Sequence, residues 1–196
     1  GYSKTIRLLL VMFLTLTVSA NAWAQYTKAS SIAVGDVVVL VYETGKKELD
    51  GISTTSTKYG IGTGYTTTPT GQYELTVEAG STSGTYSFKA PNNQYLYWGS
   101  GNSLATNATK NANTSWTVTF SSGNAVIKNA KDATRQIKWN TSSPRFACYT
   151  SGQSAVQLYK KSAASYTVNW TINPAAGGTL SATSGTNTTV APNVAY

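Results

Sequence analysis

The 196-residue chain has no histidine. That removes Ser–His and Cys–His nucleophile pairs and the usual imidazole metal ligands. One cysteine, Cys148, cannot form an intramolecular disulfide, so any fold rests on its core alone. Within Phe146-Ala-Cys-Tyr149 that thiol reads as a small core hydrophobe. Charged residues are only 11% of the chain, and the seven carboxylates are Asp36, Glu43, Glu48, Asp50, Glu74, Glu78 and Asp132. A glycosidase needs two carboxylates facing each other across a cleft. Here Glu74 and Glu78 flank a strand and Glu48 and Asp50 sit in a turn-like segment, so both pairs are expected as solvated strand ends. The glycines of Gly60-Ile-Gly-Thr-Gly64 have no helix behind them to cradle a phosphate, and read as a strand with close backbone approaches. No catalytic residue, metal ligand or cofactor is expected.

What remains is rich in Gly, Ser, Thr and Asn, with 13 Tyr and 5 Trp. Turn residues plus aromatic payload favour short strands over helices and argue against disorder. At the N-terminus Lys4 and Arg7 precede an apolar run, Leu8 to Ala20, and small residues around Ala22 and Ala24. This is the pattern of a signal peptide over 1–24, expected as a helix too short to span a membrane comfortably. The first residue is glycine, so the true start is expected upstream. A lead-in of weak structure follows at 25–35. Asp36-Val-Val-Val-Leu-Val-Tyr42 then reads as a strand buried on both faces, and Gln72-Tyr-Glu-Leu-Thr-Val77 as an alternating one.

From Asp36 to Lys161 the pattern repeats. Tyr86-Ser-Phe-Lys-Ala90 … Gln94-Tyr-Leu-Tyr-Trp98 overlays on Asn124-Ala-Val-Ile-Lys-Asn129 … Gln136-Ile-Lys-Trp139. Each pass ends in an alternating strand, with Leu75, Val118 and Leu158 as central markers. Leu40, Phe88 and Ile127 mark the opening strands. A period of roughly forty residues with about four strands per unit fits a β-trefoil; three units are too few for an ordinary propeller. The alternative is another β barrel or sandwich. The expected architecture is all-β: a β-trefoil-like three-fold barrel at 36–162, in passes 36–84, 85–123 and 124–162, with a longer insertion at 54–70 in the first pass. A partial small β repeat follows at 165–196.

Two resemblances accompany this reading. The stretch Asn140-Thr-Ser-Ser-Pro-Arg-Phe-Ala-Cys-Tyr149 … Ala155-Val-Gln-Leu-Tyr-Lys160 is similar to trefoil-like modules of secreted, multidomain Bacteroidetes proteins, covering 36–161. Residues 165–196, with Pro174, Gly177-Gly178 and the ending Pro192-Asn-Val-Ala-Tyr196, resemble the internalin-type bacterial B-repeat, although Ala195 departs from its usual Gly-Tyr. That resemblance implies a β-rich spacer or adhesive repeat within a longer protein. Ricin-type lectin trefoils carry Gln-x-Trp in each closing strand. Here the third pass comes near with Gln157-Leu-Tyr159, while the others read Glu74-Leu-Thr76 and Thr117-Val-Thr119.

The binding candidates are Trp98 and Trp139, at equivalent places in the overlay, with Tyr97, Asn140 and Tyr149 beside them. Alternation puts both indoles on the apolar face of their strands, which favours the core. The turns that follow them equally suit a rim where a ring stacks on a sugar. Trp116, in Trp-x-Val-x-Phe, reads as core. The third pass is also basic, and Lys128, Lys131, Arg135, Lys138 and Arg145 could hold a polyanion or simply form a solvated surface. The sequence therefore points to a non-catalytic, secreted or cell-surface binding module. A glycan or surface polysaccharide is its expected partner, other domains of the same chain are possible ones, nucleic acid is not expected, and the mature chain has no membrane span. The alternative is a structural spacer or protein-interaction module.

Overall fold

The computed structural model describes residues 25–162 throughout, together with the strands β1 (Thr17–Ser19), β15 (Thr167–Thr171) and β16 (Ser184–Asn187). The chain divides into two units, Ala24–Ser162 and a second one drawn from 1–23 and 163–196. In the second unit the three strands form one antiparallel sheet in the order β1-β15-β16. Within the leader helix expected over 1–24, the described residues Thr17–Ser19 are not helical but a strand paired with β15, and the rest of that segment lies outside the described residues. So does most of the B-repeat-like segment over 165–196. No described helix is long and apolar enough to cross a membrane.

The Ala24–Ser162 unit carries a preliminary strand and then four strands per pass. The preliminary strand is β2 (Tyr26–Lys28). The first pass comprises β3 (Val37–Tyr42), β4 (Lys47–Ile52), β5 (Gly60–Gly64) and β6 (Leu75–Ala79). The second comprises β7 (Tyr86–Lys89), β8 (Tyr95–Tyr97), β9 (Ala105–Asn107) and β10 (Trp116–Ser121). The third comprises β11 (Asn124–Asn129), β12 (Gln136–Asn140), β13 (Arg145–Tyr149) and β14 (Gln157–Lys161). First and fourth strands pair in a closed ring, β3-β6-β7-β10-β11-β14 and back to β3. Second and third strands form the hairpins β4–β5, β8–β9 and β12–β13. A six-stranded barrel capped by three hairpins is a β-trefoil, and closing the ring leaves its strands no free edge.

The register identifies the equivalent positions. Val77 faces Phe88, Val118 faces Ile127, and Leu158 faces Leu40. The first closing strand is therefore marked by Val77, two residues beyond the Leu75 expected from the sequence. Both are buried, because a two-residue shift keeps the same strand face. The core gathers Leu40, Leu75, Val77, Phe88, Leu96 and Leu104 with Trp116, Ile127, Ile137, Phe146 and Leu158. Val39 and Val41, on the opposite face of β3, pack with Tyr26 and Tyr65. That second cluster explains why β3 is apolar on both sides.

Two expectations are corrected here. The lead-in at 25–35 is not weakly structured: β2 pairs with β14, Tyr159 opposite Lys28 and Lys161 opposite Tyr26, and Tyr26 is buried. Its partners lie more than a hundred residues away, so local periodicity carries no trace of them. The segment around Glu48 is strand β4 and not a turn, and Glu48 is fully buried. Its Oε1 accepts from Thr70 N at 3.0 Å and Thr70 Oγ1 at 2.6 Å, and its Oε2 accepts from Gly71 N at 2.9 Å. The carboxylate thereby holds the loop between β5 and β6; the insertion expected at 54–70 is not one continuous loop, because strand β5 lies within it.

The seam between first and last passes is charged. Lys160 pairs with Asp36 at 2.9 Å, Lys161 with Glu74 at 2.7 Å, and Lys28 with Glu43. Gln157, buried, accepts from Glu43 N at 2.8 Å and donates to Asn124 Oδ1 at 2.7 Å. The acidic first pass and basic third pass thus meet as partners where the barrel closes, and Gln157 serves that closure.

Candidate functional site

The three cap hairpins meet through their third strands. Leu104 N donates to Lys58 O at 3.0 Å, Cys148 N donates to Asn102 O at 3.2 Å, and Phe146 pairs with Gly60. Residues just before each third strand are thereby gathered from all three passes: Lys58 and Tyr59, Asn102, and Ser143. With Asn140, Arg145 and Tyr149 they line a cleft of about 230 Å³.

Its polar groups are fixed by one another. Asn140 Oδ1 accepts from Ser143 N at 2.9 Å, which aims the amide nitrogen at Tyr149, whose hydroxyl accepts from Asn140 Nδ2 at 3.0 Å. Tyr149 keeps its own hydroxyl proton for donation, and Asn140 keeps one N–H. Arg145 lies 4.6 Å over the Tyr59 ring and donates through Nε to Ser143 O at 3.1 Å and through Nη2 to Ser143 Oγ. These contacts hold the guanidinium in place while leaving three of its N–H groups unused. Cys148, beneath the cleft, is buried, and desolvation pushes its thiol well above the ordinary value, so it stays a neutral core group.

Of the residues expected from the sequence, Asn140 and Tyr149 come together here. Trp139 does not serve as a stacking platform: it is only 3% exposed. Its ring stacks on Tyr42 at 5.4 Å and meets Phe146 edge-on at 4.8 Å. The physical reason is Gly62, where a Cβ would stand 2.5 Å from the indole, so bare backbone makes the seat for the ring. Trp98 occupies the equivalent place: its N–H bonds Asn113 O as that of Trp139 bonds Ser154 O. It is half-buried, with Arg135 5.7 Å over its ring and its Nε1 donating to Gly101 O at 2.9 Å. Arg135 in turn donates to Asn102 Oδ1 at 3.1 Å, which sets Trp98 behind the rim of the cleft. Tyr97 lies on the opposite strand face from Leu96 and Trp98, outside the cleft lining.

The basic residues expected to hold a polyanion divide. Arg135 and Arg145 sit on aromatic rings, whereas Lys128, Lys131 and Lys138 do not line the cleft. Lys58, Tyr59 and Asn102 were not expected. Their common signal is position, each lying one to three residues before the third strand of its pass, and it becomes visible only when the hairpins are aligned.

The carboxylates Glu74 and Glu78 line a separate cleft of about 320 Å³ with Lys89. Burial pushes Glu74 up, but hydrogen bonds from Lys161 and Tyr26 outweigh it and the net shift is downward. The hydrogen bond from Lys110 holds Glu78 low against a smaller opposing desolvation. Two ionised carboxylates offer no proton donor at neutral pH, which an acid–base pair for glycoside cleavage requires. Among the described residues no cluster of three or more metal-ligating side chains occurs.

No protein-family model matches the sequence, and no characterised protein matches it by sequence. Neither the Bacteroidetes-module similarity over 36–161 nor the B-repeat similarity over 165–196 therefore gains a family match. Solved structures do match in fold. A GlcNAcα1-4Gal-releasing endo-β-galactosidase from Clostridium perfringens aligns with a TM-score of 0.53 at 11% identity, over 65% of this chain and 33% of that one. A Polyporus squamosus lectin, bound to Neu5Acα2-6Galβ1-4GlcNAc, aligns at 0.53 and 12% identity, over 67% of this chain and 50% of that one. SeviL, bound to the asialo-GM1 saccharide, aligns at 0.51 and 11% identity over 67% of this chain and 100% of its own. The chain thus spans no more than half of the first two proteins. At identities this low the alignments show a shared β-trefoil fold and nothing finer.

Proposed function

We propose that residues 36–162 are a non-catalytic carbohydrate-binding module of a secreted or cell-surface protein, exported behind the 1–24 leader, and that the cap cleft takes the sugar. The observation that carries this reading is the Asn140–Tyr149 pair. Two donor groups are pre-aimed and left unsatisfied in a cleft that Tyr59 also lines, a combination that suits the hydroxyls and apolar face of a pyranose. Placement on barrel-anchored hairpins lowers the cost of ordering the site on binding. Support for the class comes from the saccharide-bound proteins that share the fold, and support for a non-catalytic role from the ionised state of Glu74 and Glu78.

The test is binding of the full chain to a glycan array, beside Asn140→Ala and Tyr149→Phe. Each variant removes one or two hydrogen bonds to the sugar, and binding is expected to weaken about tenfold. Unchanged binding in both variants removes the site assignment. Absence of binding to any glycan removes the class.

A further inference from the structure

Lys58 is the wall between two clefts. On one side lies the cap cleft; on the other is a larger one of about 530 Å³, between the first and second passes, lined by Ser53, Tyr73, Gln94 and Thr106 among others. Neither lining contains a carboxylate. Asp36, Glu43, Glu74, Glu78 and Asp132 are all engaged in ion pairs elsewhere, and Glu48 is buried on backbone N–H groups. Among the described residues Asp50 is the one carboxylate left uncommitted, and although it precedes Gly51 of the larger cleft it is not part of the lining. Among the described residues Lys58 and Arg145 have no ion-pair partner, yet they share the 230 Å³ cleft. Two like charges held in one concavity repel each other, and an anion bound between them relieves that repulsion.

The larger cleft supplies the rest of a linear ligand. Tyr73 is half-buried, and its hydroxyl makes no hydrogen bond among the described residues. Thr106 Oγ1 donates to Gln94 Oε1 at 2.7 Å, which turns the Gln94 amide nitrogen outward as a free donor. An aromatic surface beside a fixed amide repeats the arrangement of the cap cleft.

We infer that the ligand is an acidic oligosaccharide whose anionic group, a sugar carboxylate or sulfate ester, sits between Lys58 and Arg145, with further units lying across Lys58 against Tyr73. This rests on the carbohydrate reading above and names the class of sugar. The test compares the full chain with Lys58→Ala and Tyr73→Ala on an array carrying neutral, carboxylated and sulfated glycans, with single-stranded oligo-dT as a polyanion control. Wild type is expected to prefer acidic over neutral glycans by about tenfold or more, with binding that weakens as salt rises. Lys58→Ala should abolish that preference, Lys58→Arg should keep it, and Tyr73→Ala should weaken oligosaccharides but not monosaccharides. The carboxylated and sulfated arms identify which anion is held. Neutral glycans bound equally well, and untouched by Lys58→Ala, overturn the acidic class and leave the carbohydrate reading standing. No glycan bound at all overturns both, and oligo-dT bound as tightly as the best glycan overturns the acidic-sugar inference in favour of nucleic acid.

Discussion

Glu48 offers the sharpest test of how this barrel is held. Glu48→Gln keeps the size and shape of the side chain. Its remaining carbonyl can still accept from Thr70 N and Thr70 Oγ1, but its new NH₂ group would face the N–H of Gly71, now 2.9 Å from Oε2. A donor facing a donor leaves both unsatisfied, costing about 1–3 kcal/mol. The two surviving bonds lose their charge assistance, roughly half their strength and about another 1 kcal/mol. The sum is about 3 kcal/mol, which lowers the melting temperature of a domain this size by roughly 10 °C. Thr70→Val removes one hydroxyl donor and leaves the carboxylate its backbone partners, so about 1 kcal/mol is expected. The assay is urea unfolding of the full chain, followed by the fluorescence of the buried Trp116 and Trp139. A Glu48→Gln midpoint equivalent to less than about 0.5 kcal/mol would refute the view that this carboxylate anchors the loop.

Two other outcomes follow from the packing and the charges. Gly62→Ala places a Cβ within 2.5 Å of the Trp139 ring, which Tyr42 and Phe146 confine on its other sides, and is expected to cost about 1–3 kcal/mol by denaturant unfolding; a neutral result would mean the indole is free to move. The pH profile should fall at both ends. Lys28 holds Glu43 below its ordinary 4.5, and Lys110 does the same for Glu78, so their stabilisation is present above the unfolded value and lost as pH falls through the folded one. Burial, with help from Glu43, raises the Tyr159 phenol from 10.0 to about 12, so its contribution is full below pH 10 and lost as pH rises toward 12. Circular-dichroism melting across pH, with phenolate absorbance for the alkaline limb, reads both; a flat profile below pH 4.5 would contradict the ion-paired seam.

Much of the architecture was legible because it is periodic. Alternation exposed β6, β10 and β14, and the overlay of the second and third passes placed Trp98 and Trp139 in equivalent positions that the hydrogen bonds to Asn113 and Ser154 bear out. What stayed hidden was set by partners distant in sequence. The lead-in became a strand because β14 lies beside it, and Glu48 became buried because Thr70 and Gly71 turn their N–H groups onto it. The choice between core and platform for Trp139 was made by a glycine in another pass. The cleft itself joins Lys58, Asn102 and Arg145, a convergence that no single stretch of chain records.

The chain enters and leaves the barrel at one point. Lys161 faces Tyr26, and Ser162 N donates to Gln25 O at 2.7 Å. Both flanks therefore emerge from the same end of an antiparallel pair, about one strand spacing, roughly 5 Å, apart. A pull applied between Gln25 and Ser162 loads the β2–β14 bonds singly, like the teeth of a zip, and not all together in shear. Peeling would start at Ser162–Gln25 and strip away the strand that shields Val39 and Val41 before it reached the ring. In a chain cut behind the 1–24 leader Gln25 is the free end, and the same pairing clamps that new N-terminus against the strand by which the chain leaves the barrel.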